Sequence, residues 1–125
     1  MKTILVKEKF QLKCVPTLCR KRDGYMQQDK KKNIFNAEQF VTILDINRYM
    51  TEQGDTCYYC KEHVKRLYVD VRDGKQWSLD RIDNNLGHNT GNVVIACLDC
   101  NLKRRRKSVE RYSAEKSMLI VVKLG

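Results

Sequence analysis

Ser78-Leu79-Asp80-Arg81-Ile82-Asp83-Asn84-Asn85-Leu86-Gly87-His88-Asn89-Thr90-Gly91-Asn92-Val93-Val94-Ile95-Ala96-Cys97-Leu98-Asp99-Cys100-Asn101-Leu102-Lys103 is the stretch on which the fold turns. It reads strand, loop, strand, helix. Asp83–Thr90 is polar and carries Asn84, Asn85 and Gly87, the composition of a loop. Val93-Val94-Ile95-Ala96 is a short apolar strand, and from Leu98 the composition turns helical. In that arrangement Asp80 ends the first strand facing the start of the helix, and Asn101 stands in the first helical turn. A carboxylate oxygen and an amide oxygen then converge. Hard oxygen ligands with open positions suit Mg²⁺ or Mn²⁺, completed by water and a phosphate oxygen.

The helix start is a Cys-x-x-Cys knuckle, Cys97-Leu98-Asp99-Cys100, and a second one stands upstream, Cys57-Tyr58-Tyr59-Cys60. Two such knuckles supply the four thiolates of a tetrahedral structural Zn²⁺. The 36 residues between Cys60 and Cys97 exceed a short ribbon loop, so a substructure fits between. Met1–Gln11 alternates charged with apolar residues and does not resemble a secretory leader, which favours metal over disulfides. Cys14 and Cys19 read either as two buried thiols or as half of a second zinc site completed by a partner chain.

The chain has 125 residues, 25 Lys+Arg against 15 Asp+Glu, and a net charge of +10. One domain, 1–125, is the expectation at this length. Aromatic and β-branched residues run throughout, which excludes a disordered tail, and no apolar run approaches a membrane span. The cations are clumped, in Lys30-Lys31-Lys32 and in Lys103-Arg104-Arg105-Arg106-Lys107. Clumping favours a nucleic-acid partner over bare solubility or a membrane surface. Lys103–Lys107 follows Asn101 on the expected helix Leu98–Tyr112, so Arg104 or Arg105 is set to meet phosphates beside Asn101. The alternative is a solvated face.

Elsewhere, Thr3–Lys13 alternates in part and predicts one or two strands, and Arg20–Asn33 reads as a basic loop or arm within an N-terminal region 1–35. Asn36 with Gln39 reads as a capping box opening a helix through Phe40, Ile43, Leu44, Asn47 and Met50, stopped by Gly54. Leu67–Arg72 and Lys75–Asp80 flank Asp73-Gly74, a β-hairpin signal. Met118–Leu124 reads as a strand.

Leu79-Asp80-Arg81-Ile82-Asp83, Gly87-His88, Asn92-Val93-Val94 and Cys97-x-x-Cys100-Asn101 resemble the HNH (ββα-metal) endonuclease motif with its flanking zinc ribbon. The resemblance spans roughly Cys57–Ser108. It implies an α+β fold: a small ββα-metal (HNH, or His-Me finger) core at 57–108 with a four-cysteine structural zinc, preceded by a helix and a β-hairpin. It also implies a metal-dependent DNA endonuclease, nicking or cutting both strands and leaving a 5′-phosphate. Asp80 and Asn101 match the residues that hold the catalytic divalent ion, Mg²⁺ or Mn²⁺, and Asn92 the one that braces the loop.

The family usually has a His after the metal-binding Asp, as base. Here Arg81 stands there, and a guanidinium is no base, though it clamps phosphate. His88 or Tyr59 is the candidate replacement; ion-activated water alone, or a binding-only relic, are the alternatives. The Asp-Arg pair with Cys-x-Tyr-Cys looks like small homodimeric restriction-type enzymes in which a knuckle Tyr lies near the phosphate. There Tyr59 would be more acidic than usual; otherwise Tyr58 and Tyr59 are aromatic packing and His88 a solvated loop residue. The competing expectation is a non-catalytic zinc-ribbon nucleic-acid-binding protein, and an RNase is a third. Cutting both strands would call for two active sites and hence a homodimer; no membrane partner and no secretion are expected. The resemblance also suggests a bacterial or phage cytoplasm, or the nucleus or viral factory for a eukaryotic virus.

Overall fold

In chain order the elements are α1 (Pro16–Lys31), α2 (Ile43–Glu52), β1 (Trp77–Arg81), β2 (Val93–Cys97), α3 (Leu98–Arg104) and α4 (Val109–Leu124). The structure is a computed structural model and describes residues 16–105 and 107–124. It is a small α+β fold, with four helices and one two-stranded antiparallel sheet among these residues. The strands expected at Thr3–Lys13 lie outside them.

β1 and β2 pair with Leu79 opposite Ile95 and Asp80 opposite Val94. Nearly every strand position is buried. This suits the β-branched run of β2 and explains why it does not alternate. Trp77, Leu79 and Ile95 join Val41, Ile46, Met50, Val64 and Tyr59 in one core, each large apolar side chain worth about 1.5–3 kcal/mol of burial.

Helix α1 replaces the expected basic arm. Its inward stripe is Leu18, Arg22, Tyr25 and Asp29, at helical spacing but mostly polar. Each charged member has a partner: Arg22 Nε donates to the Val41 carbonyl (2.9 Å) and Asp29 accepts from His88. Asn33, at φ 59°, ends the helix in the left-handed region that Asn tolerates. Helix α2 starts later than expected. Its capping box is Thr42 with Asp45, whereas Asn36 accepts from Glu38 and Gln39 N–H in a turn. Gly54, at φ 64°, follows the helix end as expected.

The expected β-hairpin is absent. Leu67–Arg72 forms turns and bends, and only Lys65 bridges to Gln76. A two-residue Asp-Gly hairpin turn needs positive φ, which Gly74 lacks. Gly74 instead packs against Asp99 on α3, where a Cβ would collide with the carboxylate. The helix expected from Leu98 to Tyr112 breaks at Arg105, at φ 51°. Ser108 then caps a new helix by accepting from Arg111 N–H (3.0 Å). Hence Met118–Leu124 is helical, not a strand, and the basic run straddles a turn. No helix among the described residues is long and apolar enough to cross a membrane.

Candidate functional site

Each Cys-x-x-Cys turn folds a backbone N–H back onto its first sulfur: Tyr59 N–H onto Cys57 Sγ and Cys100 N–H onto Cys97 Sγ, both at 3.4 Å. Tyr58 N–H donates to the Ile95 carbonyl (2.8 Å), tying the first knuckle to β2, which leads directly into the second. The four sulfurs lie within 4.8 Å of one another, and Cys60 and Cys97 are 3.9 Å apart. Zinc with Zn–S bonds of about 2.3 Å sets tetrahedral sulfurs about 3.8 Å apart, so this set could hold such an ion. Cys19 lies on α1 and is not part of the cluster; Cys14 lies outside the described residues.

The second knuckle is also the N-terminus of α3, with Cys97 as its cap. That fixes α3 across the sheet. Ser78 and Asp80, two apart on β1, face Asn101 and Arg104, three apart on α3. Asn101 Nδ2 donates to Ser78 Oγ (3.0 Å) and to the Leu79 carbonyl (3.2 Å). Arg104 pairs with Asp80 at 2.9 Å. It also donates to the carbonyls of Arg81, Ile82 (3.1 Å) and Lys107 (2.8 Å). Arg104 is 1% exposed. Its guanidinium is engaged by these internal partners, so of Arg104 and Arg105 the exposed one is Arg105. Burial pushes the Asp80 carboxyl up from its ordinary range, against the opposing pull of Tyr59 and Arg104.

Tyr59 likewise differs from its expected role. Its hydroxyl donates to Asp80 from within the core, its ring packs edge-on against Tyr112, and burial raises its pKa rather than lowering it.

Asn92 braces the β1–β2 loop. It donates to the carbonyls of Asp83 (3.0 Å) and Gly87 (2.9 Å) and accepts from Asp83 N–H (2.9 Å). Arg81 Nη1 donates to the loop carbonyls of Asn84 (3.0 Å) and Leu86 (3.3 Å). The loop carries His88 inward, so His88 is buried rather than solvated. Its Nδ1 is 2.7 Å from Asp29 Oδ1. Burial holds the imidazole below its ordinary pKa, with Asp29 opposing.

These parts meet in one cleft of about 490 Å³. Asp80, Asn101, His88 and Arg81 line it from the ββα side, Lys21, Tyr25 and Gln28 from α1, and Arg105 from the end of α3. The Lys21 ammonium lies 4.5 Å from the Trp77 ring centre and 4.9 Å from that of Tyr68, and donates to the Trp77 carbonyl. Burial lowers its pKa to about 8. Beside the cleft, a second hollow is walled by Lys103, Arg104, Arg105, Lys107 and Arg111, all cations. Arg106 lies outside the described residues.

Sequence reasoning missed the α1 wall, because Lys21, Tyr25 and Gln28 sit on a helix whose buried face is not apolar. No protein-family model, curated protein or solved structure matches this chain. The function is therefore argued from the site.

Proposed function

We propose that the chain is a metal-dependent DNA endonuclease of the HNH type. The observation that carries this reading is that Asp80, Asn101 and His88, brought from strand, helix and loop, line one cleft with Lys21, Arg81 and Arg105. A carboxylate offers about four lone-pair sites. Arg104 and Tyr59 engage one on each Asp80 oxygen, which leaves two for an ion. Asn101, with its Nδ2 donated to Ser78 and Leu79, keeps Oδ1. Two oxygen donors with room for water and a phosphate oxygen suit Mg²⁺ or Mn²⁺. Such an ion would neutralise charge on the scissile phosphate and its leaving oxygen. Lys21 and Arg105 then draw the phosphate in, and the cationic hollow tracks the backbone beyond it.

The test is relaxation of supercoiled plasmid with Mg²⁺, Mn²⁺ or EDTA. Asp80→Asn and Asn101→Ala should abolish cutting while zinc content and DNA binding persist. One observation favours a second reading, a non-catalytic zinc-ribbon nucleic-acid-binding protein: the Arg104 ion pair already balances the Asp80 charge. Binding without cutting on DNA or RNA, whatever the metal, would establish that reading instead.

A further inference from the structure

We propose that Asp29 and His88 form a catalytic dyad, in which His88 Nε2 takes the proton of the attacking water and Asp29 positions the ring. This rests on the phosphodiesterase reading above and supplies the base that Arg81 cannot be. Asp29 is fully buried, and both its oxygens serve one residue: Oδ2 accepts from His88 N–H and Oδ1 meets His88 Nδ1, each at 2.7 Å. The local backbone is shaped around this contact. A Cβ on Gly87 would stand 2.6 Å from Asp29 Oδ2 and 2.9 Å from the Ile34 carbonyl oxygen. The Tyr25 ring lies against the imidazole, centres 4.5 Å apart.

A carboxylate at Nδ1 selects the Nδ1–H tautomer and leaves the lone pair on Nε2. The titratable and charged groups facing His88 are Asp29 and Tyr25 of α1, Lys32 just after it, and Arg81 of β1. Burial, Lys32 and Arg81 favour the neutral ring over the pull of Asp29. His88 lines the same cleft as Asp80 and Asn101, where the phosphate is proposed to sit. In the step itself one water O–H bond breaks and its proton passes to Nε2. The water oxygen forms the new bond to phosphorus, and the P–O3′ bond breaks. Its electron pair leaves on O3′, which takes a proton from solvent.

Plasmid cutting is measured between pH 5 and 9 for the wild type, His88→Ala and Asp29→Asn, each checked for zinc content and circular dichroism. The wild-type rate should rise with pH and level off below about 6.5, the ordinary histidine value. His88→Ala should lose roughly 100-fold or more, the usual contribution of a positioned base, and regain part of it with added imidazole. Asp29→Asn should lower the rate and shift the acid limb, which a purely structural partner would not do. Nitrogen NMR on the wild type should find Nδ1 protonated and Nε2 bare at neutral pH; this readout stands even if His88→Ala does not fold. A folded His88→Ala within threefold of wild type, a profile flat from pH 5 to 7, or the opposite tautomer overturns the dyad and leaves the nuclease reading intact. A wild type that never cuts overturns both.

Discussion

Arg104 holds Asp80 from inside the protein, while Arg105, one residue on, lines both the cleft and the cationic hollow. Their substitutions should part company. Arg104→Met leaves the buried Asp80 carboxylate without its cationic partner and removes a donor from several carbonyls, and should cost about 3–5 kcal/mol in chemical denaturation. Arg105→Ala should stay within about 0.5 kcal/mol of wild type. It should nonetheless flatten the salt dependence of DNA binding by about 0.9 in the log–log slope if it neutralises one phosphate. His88 makes a second forecast. Its folded pKa is depressed, so on acidification the unfolded chain takes up the proton first, near the ordinary value of about 6.5. Stability is therefore full above that pH and declines below it. Thermal unfolding between pH 7.5 and 5.5 should show the decline, with a shallower slope in His88→Gln. Asp80, Asn92 and Asn101 could be named from sequence because their spacing resembles a known motif. Asp29 could not, since one acid in a run of cations carries no signal until its partner 59 residues away is known.

Helix α1 and the segment before β1 are where sequence patterns misled. An alternating run with Asp-Gly is the ordinary mark of a hairpin, yet Leu67, Val69 and Val71 are exposed and outside any strand of the described structure. Gly74 answers a demand for close approach to Asp99 rather than for a positive φ. For α1 the misleading feature was polarity, because periodicity arguments count apolar residues and this face is held by hydrogen bonds. Its helical state is easily checked. Gly24 lies in the helix interior with open space where a Cβ would sit, so Gly24→Ala should stabilise by about 0.5–1 kcal/mol. Gly87→Ala should instead destabilise by about 1–3 kcal/mol, since Asp29 and the Ile34 carbonyl must give way. Thermal melts of the two variants give opposite signs if α1 docks as described. The strand–loop–strand–helix core, by contrast, was legible from Ser78–Lys103, because turn residues, a buried apolar run and a cysteine knuckle agree there.

For the molecule as a whole, the four-cysteine cluster joins a segment before the sheet to the end of β2 and the start of α3. Metal removal should therefore act on the entire fold. Chelation at neutral pH is expected to release one zinc per chain and to broaden or abolish the thermal transition. Replacement by Co²⁺ should give the absorption of a tetrahedral thiolate site. Cys100→Ser should lower metal affinity and melt at reduced temperature even when loaded. The charge of +10 was readable at once, and it is the ground for proposing a polyanion partner. What composition could not convey is that the cations divide into buried and exposed sets.

The cleft draws one wall from residues 21–28 and the opposite wall from residues 76–105. Neither wall means anything alone. A chain still emerging from the ribosome presents its first helix long before the loop that carries His88 exists, and the cleft lacks a lining residue until Arg105 has been made. The finished pocket is thus among the last things synthesis delivers.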